Sequence, residues 1–138
     1  MANVIYPKFK EACIGGGANT DLSTVDVRFA LVDGADYTYS AAHEFLTSVP
    51  AGGRVALTTA GVGSKSVTDG VFDAADITWS SVTGDESEII IGYVHTGSDA
   101  TARLIFYLDT GVTGLPVTPN GGDINCAWDG GANKIFAL

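Results

Sequence analysis

Apolar and polar residues alternate most clearly over residues 22–32. There Val25, Val27, Phe29 and Leu31 interleave with Asp26, Arg28 and Ala30. A period of two is that of a strand with one face toward a core. Asp33-Gly34 then supplies a turn, since Asp bonds its own local backbone and Gly tolerates unusual dihedrals. Further strand-like runs fall at residues 54–59, 65–72, 76–82, 88–95, 102–109, 123–128 and 135–138. The breaks between them carry Gly61, Gly63, Asp73, Gly84-Asp85, Gly97-Ser98 and Asp129-Gly130-Gly131. About eight short strands at this spacing predict a mainly β, antiparallel sandwich or barrel-like domain. Helices do not alternate with the strands, which argues against a parallel α/β sheet.

Two segments have a helical period instead. Over residues 4–14, Tyr6, Phe9, Cys13 and Ile14 form one apolar stripe, with Lys8, Lys10 and Glu11 opposite. Pro7 suits a first turn and Gly15-Gly16-Gly17 a left-handed stop. The second, over residues 40–46, opens with Ser40 as N-cap and carries Glu44 near its start. Two strands depart from alternation: Ile89-Ile90-Ile91 and Leu104-Ile105-Phe106-Tyr107-Leu108 are apolar on both faces. Either both faces are covered within the domain, or the outer face meets another subunit. In so small a chain we expect a subunit contact to cover part of it.

Length and charge narrow the function. The 138 residues are the size of a single domain, residues 1–138, with 1–17 as an N-terminal helix or arm. Lys plus Arg total 7 against 16 for Asp plus Glu, a formal charge of −9, yet only 17% of residues are charged. Hydrophobic content of 46% excludes a disordered chain. The acidic balance argues against nucleic acid as partner, because phosphate binding runs on surplus Lys and Arg, and against anionic lipid. No window is long and apolar enough for a membrane span, and the first residues lack the apolar core of a signal peptide. A cytosolic origin is expected.

Candidate chemistry is thin. His43 and His95 are the only histidines; each could be a general base, but both read as solvated or capping residues without a nucleophile or second base beside them. Asp33, Asp36, Asp73, Asp76, Asp85, Asp99, Asp109 and Asp129 sit in turns, where Asp needs no metal, and none matches a calcium-loop motif. Gly61-Val62-Gly63-Ser64-Lys65-Ser66 lacks the order of a phosphate loop and the helix after it. Trp79 and Trp128 read as core anchors. Catalytic residues, metal ligands and cofactors are therefore all expected to be absent. Cys13 and Cys126 are either two buried thiols or a disulfide within or between subunits.

The ends of the chain carry a resemblance. Tyr6-Pro7-Lys8-Phe9-Lys10-Glu11-Ala12 leads into Asp36-Tyr37-Thr38-Tyr39-Ser40-Ala41-Ala42-His43-Glu44-Phe45-Leu46. The close reads Asn120-Gly121-Gly122-Asp123-Ile124, then Trp128-Asp129, Gly131-Ala132-Asn133 and Ile135-Phe136. With Val67-Thr68-Asp69-Gly70-Val71-Phe72 between them, the chain resembles a family of small structural proteins of tailed bacteriophages and prophages. That resemblance implies a non-enzymatic virion component made in the bacterial cytoplasm. Its role would be a capsid decoration or cement protein on the assembled head, a homo-oligomer such as a trimer, with the major capsid protein as partner. The alternative is a tail, neck or fibre module touching other tail proteins or a host receptor. Candidate interface residues are Tyr6, Phe9, Tyr37, Tyr39, Phe45, Ile90, Ile105 and Tyr107. Cys13 and Cys126 depart from the family pattern and make a particle-stabilising disulfide more credible.

Overall fold

A computed structural model describes residues 3–132 and 134–138; Asn133 of the closing motif lies outside them. The architecture is mainly β, with all strand pairings antiparallel. The chain runs β1 (Val4–Ile5), α1 (Pro7–Gly15) and β2 (Val27–Val32), then through two single 3-10 turns at Leu46–Ser48 and Ala51–Gly53. There follow β3 (Arg54–Leu57), β4 (Ser66–Thr68), β5 (Val71–Asp73), β6 (Ile77–Trp79), β7 (Ile89–Val94), β8 (Leu104–Leu108), β9 (Ile124–Cys126) and β10 (Phe136–Ala137). A five-stranded sheet in the order β1-β8-β7-β2-β3 forms the centre. A three-stranded sheet, β10-β5-β4, and the pair β6-β9 accompany it.

The central sheet is covered on both faces by the chain itself, and all six residues of β7 are buried. On one face, Phe29 and Phe106 lie 6.0 Å apart between ring centroids. Trp128 covers both, at 5.1 and 6.3 Å. Phe136 packs on Phe106 at 5.9 Å and on Phe72 at 5.5 Å, so the three-stranded sheet closes this side. Trp79 is 2% exposed and donates its indole N–H to the Phe29 carbonyl at 3.1 Å. On the other face, Tyr107 meets Tyr39 at 5.5 Å and Tyr37 at 6.3 Å, both brought by the long segment after β2.

This arrangement corrects the expected subunit contact. Ile90 is 1% and Ile105 0% exposed within one chain, so the two-sided apolar strands are central strands rather than an outer face. The apolar run is long on both faces because both are dry, as in any sheet covered on two sides.

Local boundaries shift for identifiable reasons. Val4 and Ile5 are not the first turn of the helix; they pair with Tyr107 and Phe106. A residue before proline is held extended, and Tyr6 sits at φ −55°, ψ 127°. The helix can begin only at Pro7. Gly16, at φ +71°, ends it as expected. Residues 40–46 do not form a helix either. Ser40 makes a tight turn, accepting from the Ala42 N–H on its Oγ and the His43 N–H on its carbonyl. The backbone beyond is drawn to the start of β8: Leu104 N–H donates to the Glu44 carbonyl and Leu46 N–H to the Ala102 carbonyl. Those groups could not also close helical turns. The run 65–72 is two strands, because Asp69 (φ 53°) and Gly70 (φ 79°) both adopt left-handed dihedrals. That is the geometry of a two-residue hairpin turn.

Gly92 marks the tightest point of the core. A Cβ there would lie 2.6 Å from the Phe106 ring, which is wedged between Phe29, Trp128 and Phe136. Gly92→Ala is expected to cost about 1–3 kcal/mol through overpacking, read as a lower urea midpoint. Conversion of a glycine at an open turn, Gly63→Ala, where nothing lies within 4 Å, is the matched control.

Candidate functional site

Six of the eight candidate interface residues are interior. Tyr6 (0%), Phe9 (1%), Ile90 (1%), Ile105 (0%), Tyr37 (4%) and Tyr107 (5%) are buried within the single chain, so none of them offers a contact surface. Tyr39 and Phe45 are half-buried. The reason lies in one polar–aromatic cluster that the topology assembles. β1 leads Tyr6 beneath the sheet, β8 supplies Tyr107, and the segment after β2 folds Tyr37, Tyr39 and His43 over them. Tyr6 and Tyr39 rings lie 5.4 Å apart.

A hydrogen-bond chain runs through this cluster. The Tyr6 and Tyr37 hydroxyls are 2.8 Å apart, and the Tyr37 hydroxyl is 2.8 Å from Nδ1 of His43. With His43 neutral and its proton on Nε2, Tyr37 donates to Nδ1 and accepts from Tyr6, so both hydroxyl hydrogens are used. Burial, then the bond to Tyr37, raises the Tyr6 phenol far above the ordinary tyrosine range. Burial also raises Tyr37 and Tyr107. None of these phenols ionises near neutral pH. His43, half-buried, is thus tied through Nδ1 to Tyr37 and anchors the covering segment.

Arg103, 9% exposed, secures the same segment from the start of β8. It donates from Nε to the Ala18 carbonyl at 3.1 Å and from Nη1 to Glu44 at 3.2 Å. Its guanidinium lies 5.3 Å from the Phe45 ring centroid, a cation–π distance. Phe45 is therefore occupied under Arg103. Glu44 is the ion-pair partner of Arg103.

Both cysteines are free. Cys126 is buried, and burial, with the Asp76 carboxylate nearby, pushes its thiol up to about 11. Burial also raises Cys13, opposed by Arg103. The thiolate is the reactive form, so neither is poised to react at neutral pH. Among the turn aspartates, Asp33, Asp36 and Asp85 bring carboxylate oxygens within 4.8 Å of one another, a convergence that turn signals alone do not reveal. Asp33 accepts the Ala35 N–H at 2.8 Å, the local turn bond expected of it.

Two surface features had no counterpart in the sequence reading. An apolar groove of about 140 Å³ lies between α1 and the three-stranded sheet, lined by Phe9, Leu22, Phe72, Phe136, Val67 and Leu138, with Cys13 at its side. Val67 is 53% and Leu138 61% exposed, and Ile14, next to Cys13, is 89% exposed. The second feature is a larger cleft, about 360 Å³, beside His95 and Tyr93. Among the described residues no helix is long and apolar enough to cross a membrane. No protein-family model matches the chain, and no curated protein is similar enough to count as a relative.

The tyrosine–histidine chain has a pH consequence. Burial lowers the His43 pKa below its ordinary value, with no charged group contributing. Protonation would bring three polar hydrogens to two hydrogen-bond links, leaving one without an acceptor. Because the folded value lies below the unfolded one, this stabilisation is complete above the unfolded histidine value. It is lost as pH falls toward the folded value. Thermal melts should therefore drop between pH 7.5 and 5.5 in the wild type, and His43→Asn should flatten that dependence. The thiols give a separate check: without reductant, iodoacetamide should add to both cysteines in urea, while the native protein leaves Cys126 unmodified on the same timescale.

Proposed function

We propose that this protein is a non-enzymatic structural subunit of a bacteriophage particle, acting as a decoration protein that docks on the assembled head. The observation that carries the reading is the apolar groove with Val67 and Leu138 exposed on it. These are two of the four large hydrophobic residues exposed among the described residues. Apolar side chains gathered on one region, rather than scattered, are a signature of protein contact. The resemblance at both ends of the chain supplies the virion context.

The partner is assigned to a capsid protein rather than a second copy. Each copy carries −9, and like charge opposes self-association. The test is cosedimentation with heads assembled from the capsid protein encoded in the same genome. Wild type should pellet with the heads, and Val67→Asp should weaken binding by about 10- to 100-fold, as loss of one buried apolar side chain does. Wild-type protein that stays in the supernatant would overturn the proposal, as would undiminished binding by a Val67→Asp, Leu138→Asp double variant.

A further inference from the structure

The larger cleft holds a polar group that its own chain leaves unsatisfied. Arg28 and Tyr93 stand directly opposite each other in the β2–β7 ladder, so their side chains share one face. Tyr93 is 2% exposed. Its hydroxyl bonds to none of the described residues, and since no side-chain polar atom is sealed off without a partner, that oxygen opens into the cleft it lines. Open to the cleft and uncommitted within the chain, that hydroxyl can donate to and accept from whatever occupies it.

The surrounding groups define what fits. Arg28 commits Nε and Nη2 to Asp26, at 3.1 and 3.0 Å, leaving Nη1 free to donate. Arg54 has a partner on each of its three nitrogens: Nε donates to the Val49 carbonyl, Nη2 to the Leu46 carbonyl and Nη1 to Asp99 Oδ2. It holds the wall of the cleft in place. The second Asp99 oxygen stays available as an acceptor. Thr58 accepts the Phe29 N–H on Oγ1 and keeps its own hydrogen to give. The His95 ring also bonds to none of the described residues. Two guanidiniums and two carboxylates cancel, so the site has no net charge. Burial raises the Tyr93 phenol, with the two arginines opposing, and it remains a neutral donor.

We propose that this cleft binds a neutral, hydroxyl-rich small molecule of monosaccharide size, with the Tyr93 hydroxyl and Arg28 Nη1 as donors and Asp99 as acceptor. Donors and acceptors lining one cleft suit the several hydroxyls of a sugar, and Leu46, Leu57 and Ala102 give its C–H face an apolar wall. The volume of about 360 Å³ falls within the range of small-ligand sites. Anions are disfavoured because both arginines are already neutralised and the chain carries −9. The proposal is independent of docking on a capsid.

The test is a backbone-amide NMR titration of the intact protein with D-glucose, D-galactose, D-mannose and N-acetyl-D-glucosamine, each to about 50 mM, enough to saturate a site of millimolar affinity. Sodium acetate and sodium phosphate serve as anion controls. At least one sugar should shift the amides of Arg28, Thr58, Tyr93, His95 and Ser98 in a saturable way. Tyr93→Phe should weaken that binding about five- to tenfold, the share of one hydrogen bond. Because the lost hydroxyl has no partner in the fold, the variant should melt like the wild type. Absence of saturable shifts with all four sugars would overturn the proposal. So would shifts produced by acetate or phosphate alone, or sugar binding that Tyr93→Phe leaves unchanged.

Discussion

The structure depends on keeping both faces of the β8-β7-β2 core dry. A sheet of 138 residues' worth of chain cannot hide two faces with its own hairpins, because each hairpin only adds strands at an edge. Cover has to come from segments that leave the sheet and return. On one side Trp128 and Phe136, near the C-terminus, lie on Phe29 and Phe106. On the other, residues between β2 and β3 fold Tyr37 and Tyr39 onto Tyr107. These covering side chains, partly buried themselves apart from Tyr37, keep water from the fully buried ones beneath, each worth roughly 1.5–3 kcal/mol, but only if the segment that carries them is tied down.

The ties differ on the two sides. The aromatic face is closed by apolar contact and by two indole N–H bonds, from Trp79 to the Phe29 carbonyl and from Trp128 to the Ala75 carbonyl. The tyrosine face is closed by polar groups. Tyr6, Tyr37 and His43 form a short chain in which both hydroxyl hydrogens are used, while Arg103 and Arg54 bond carbonyls of the neighbouring loop segments. Such loops lack a ladder of their own, and their carbonyls need donors once buried. The arginines supply them. The chemistry-bearing residues of the sequence are thus largely consumed in holding loops. What remains free is peripheral: an apolar groove beside α1 and the Tyr93 cleft at the end of the β2–β7 ladder.

The lesson for reading such a chain is visible in particular residues. The period-two stretch through Val27–Val32 and the Gly16 stop to the helix were legible, because each depends on a few neighbours in sequence. The Asp69-Gly70 turn is equally legible, because Asp-Gly between strand residues is a strong hairpin signal that divides the run 65–72. Residues 40–46 misled for the opposite reason. Their pattern favours a helix, but a tertiary partner, the start of β8, competes for the same backbone groups and wins. Six of the eight candidate interface residues are buried within the chain for one cause: an aromatic or a two-sided apolar strand looks the same in sequence whether a neighbour or a distant segment of the same chain covers it.

By itself the sequence determined the class of this protein: mainly β, antiparallel, acidic, with a short capped helix near its start. Alternation, turn chemistry and charge are local or additive properties, so no knowledge of neighbours in space is needed to read them. Only the tertiary structure decided which hydrophobic residues face inward and which histidine is bonded. It also decided which tyrosine hydroxyl is left without a partner. Those outcomes depend on residues such as Tyr6, Tyr37 and Tyr107, tens of positions apart, meeting at hydrogen-bond or ring-contact distance. A one-dimensional pattern carries no distance between them.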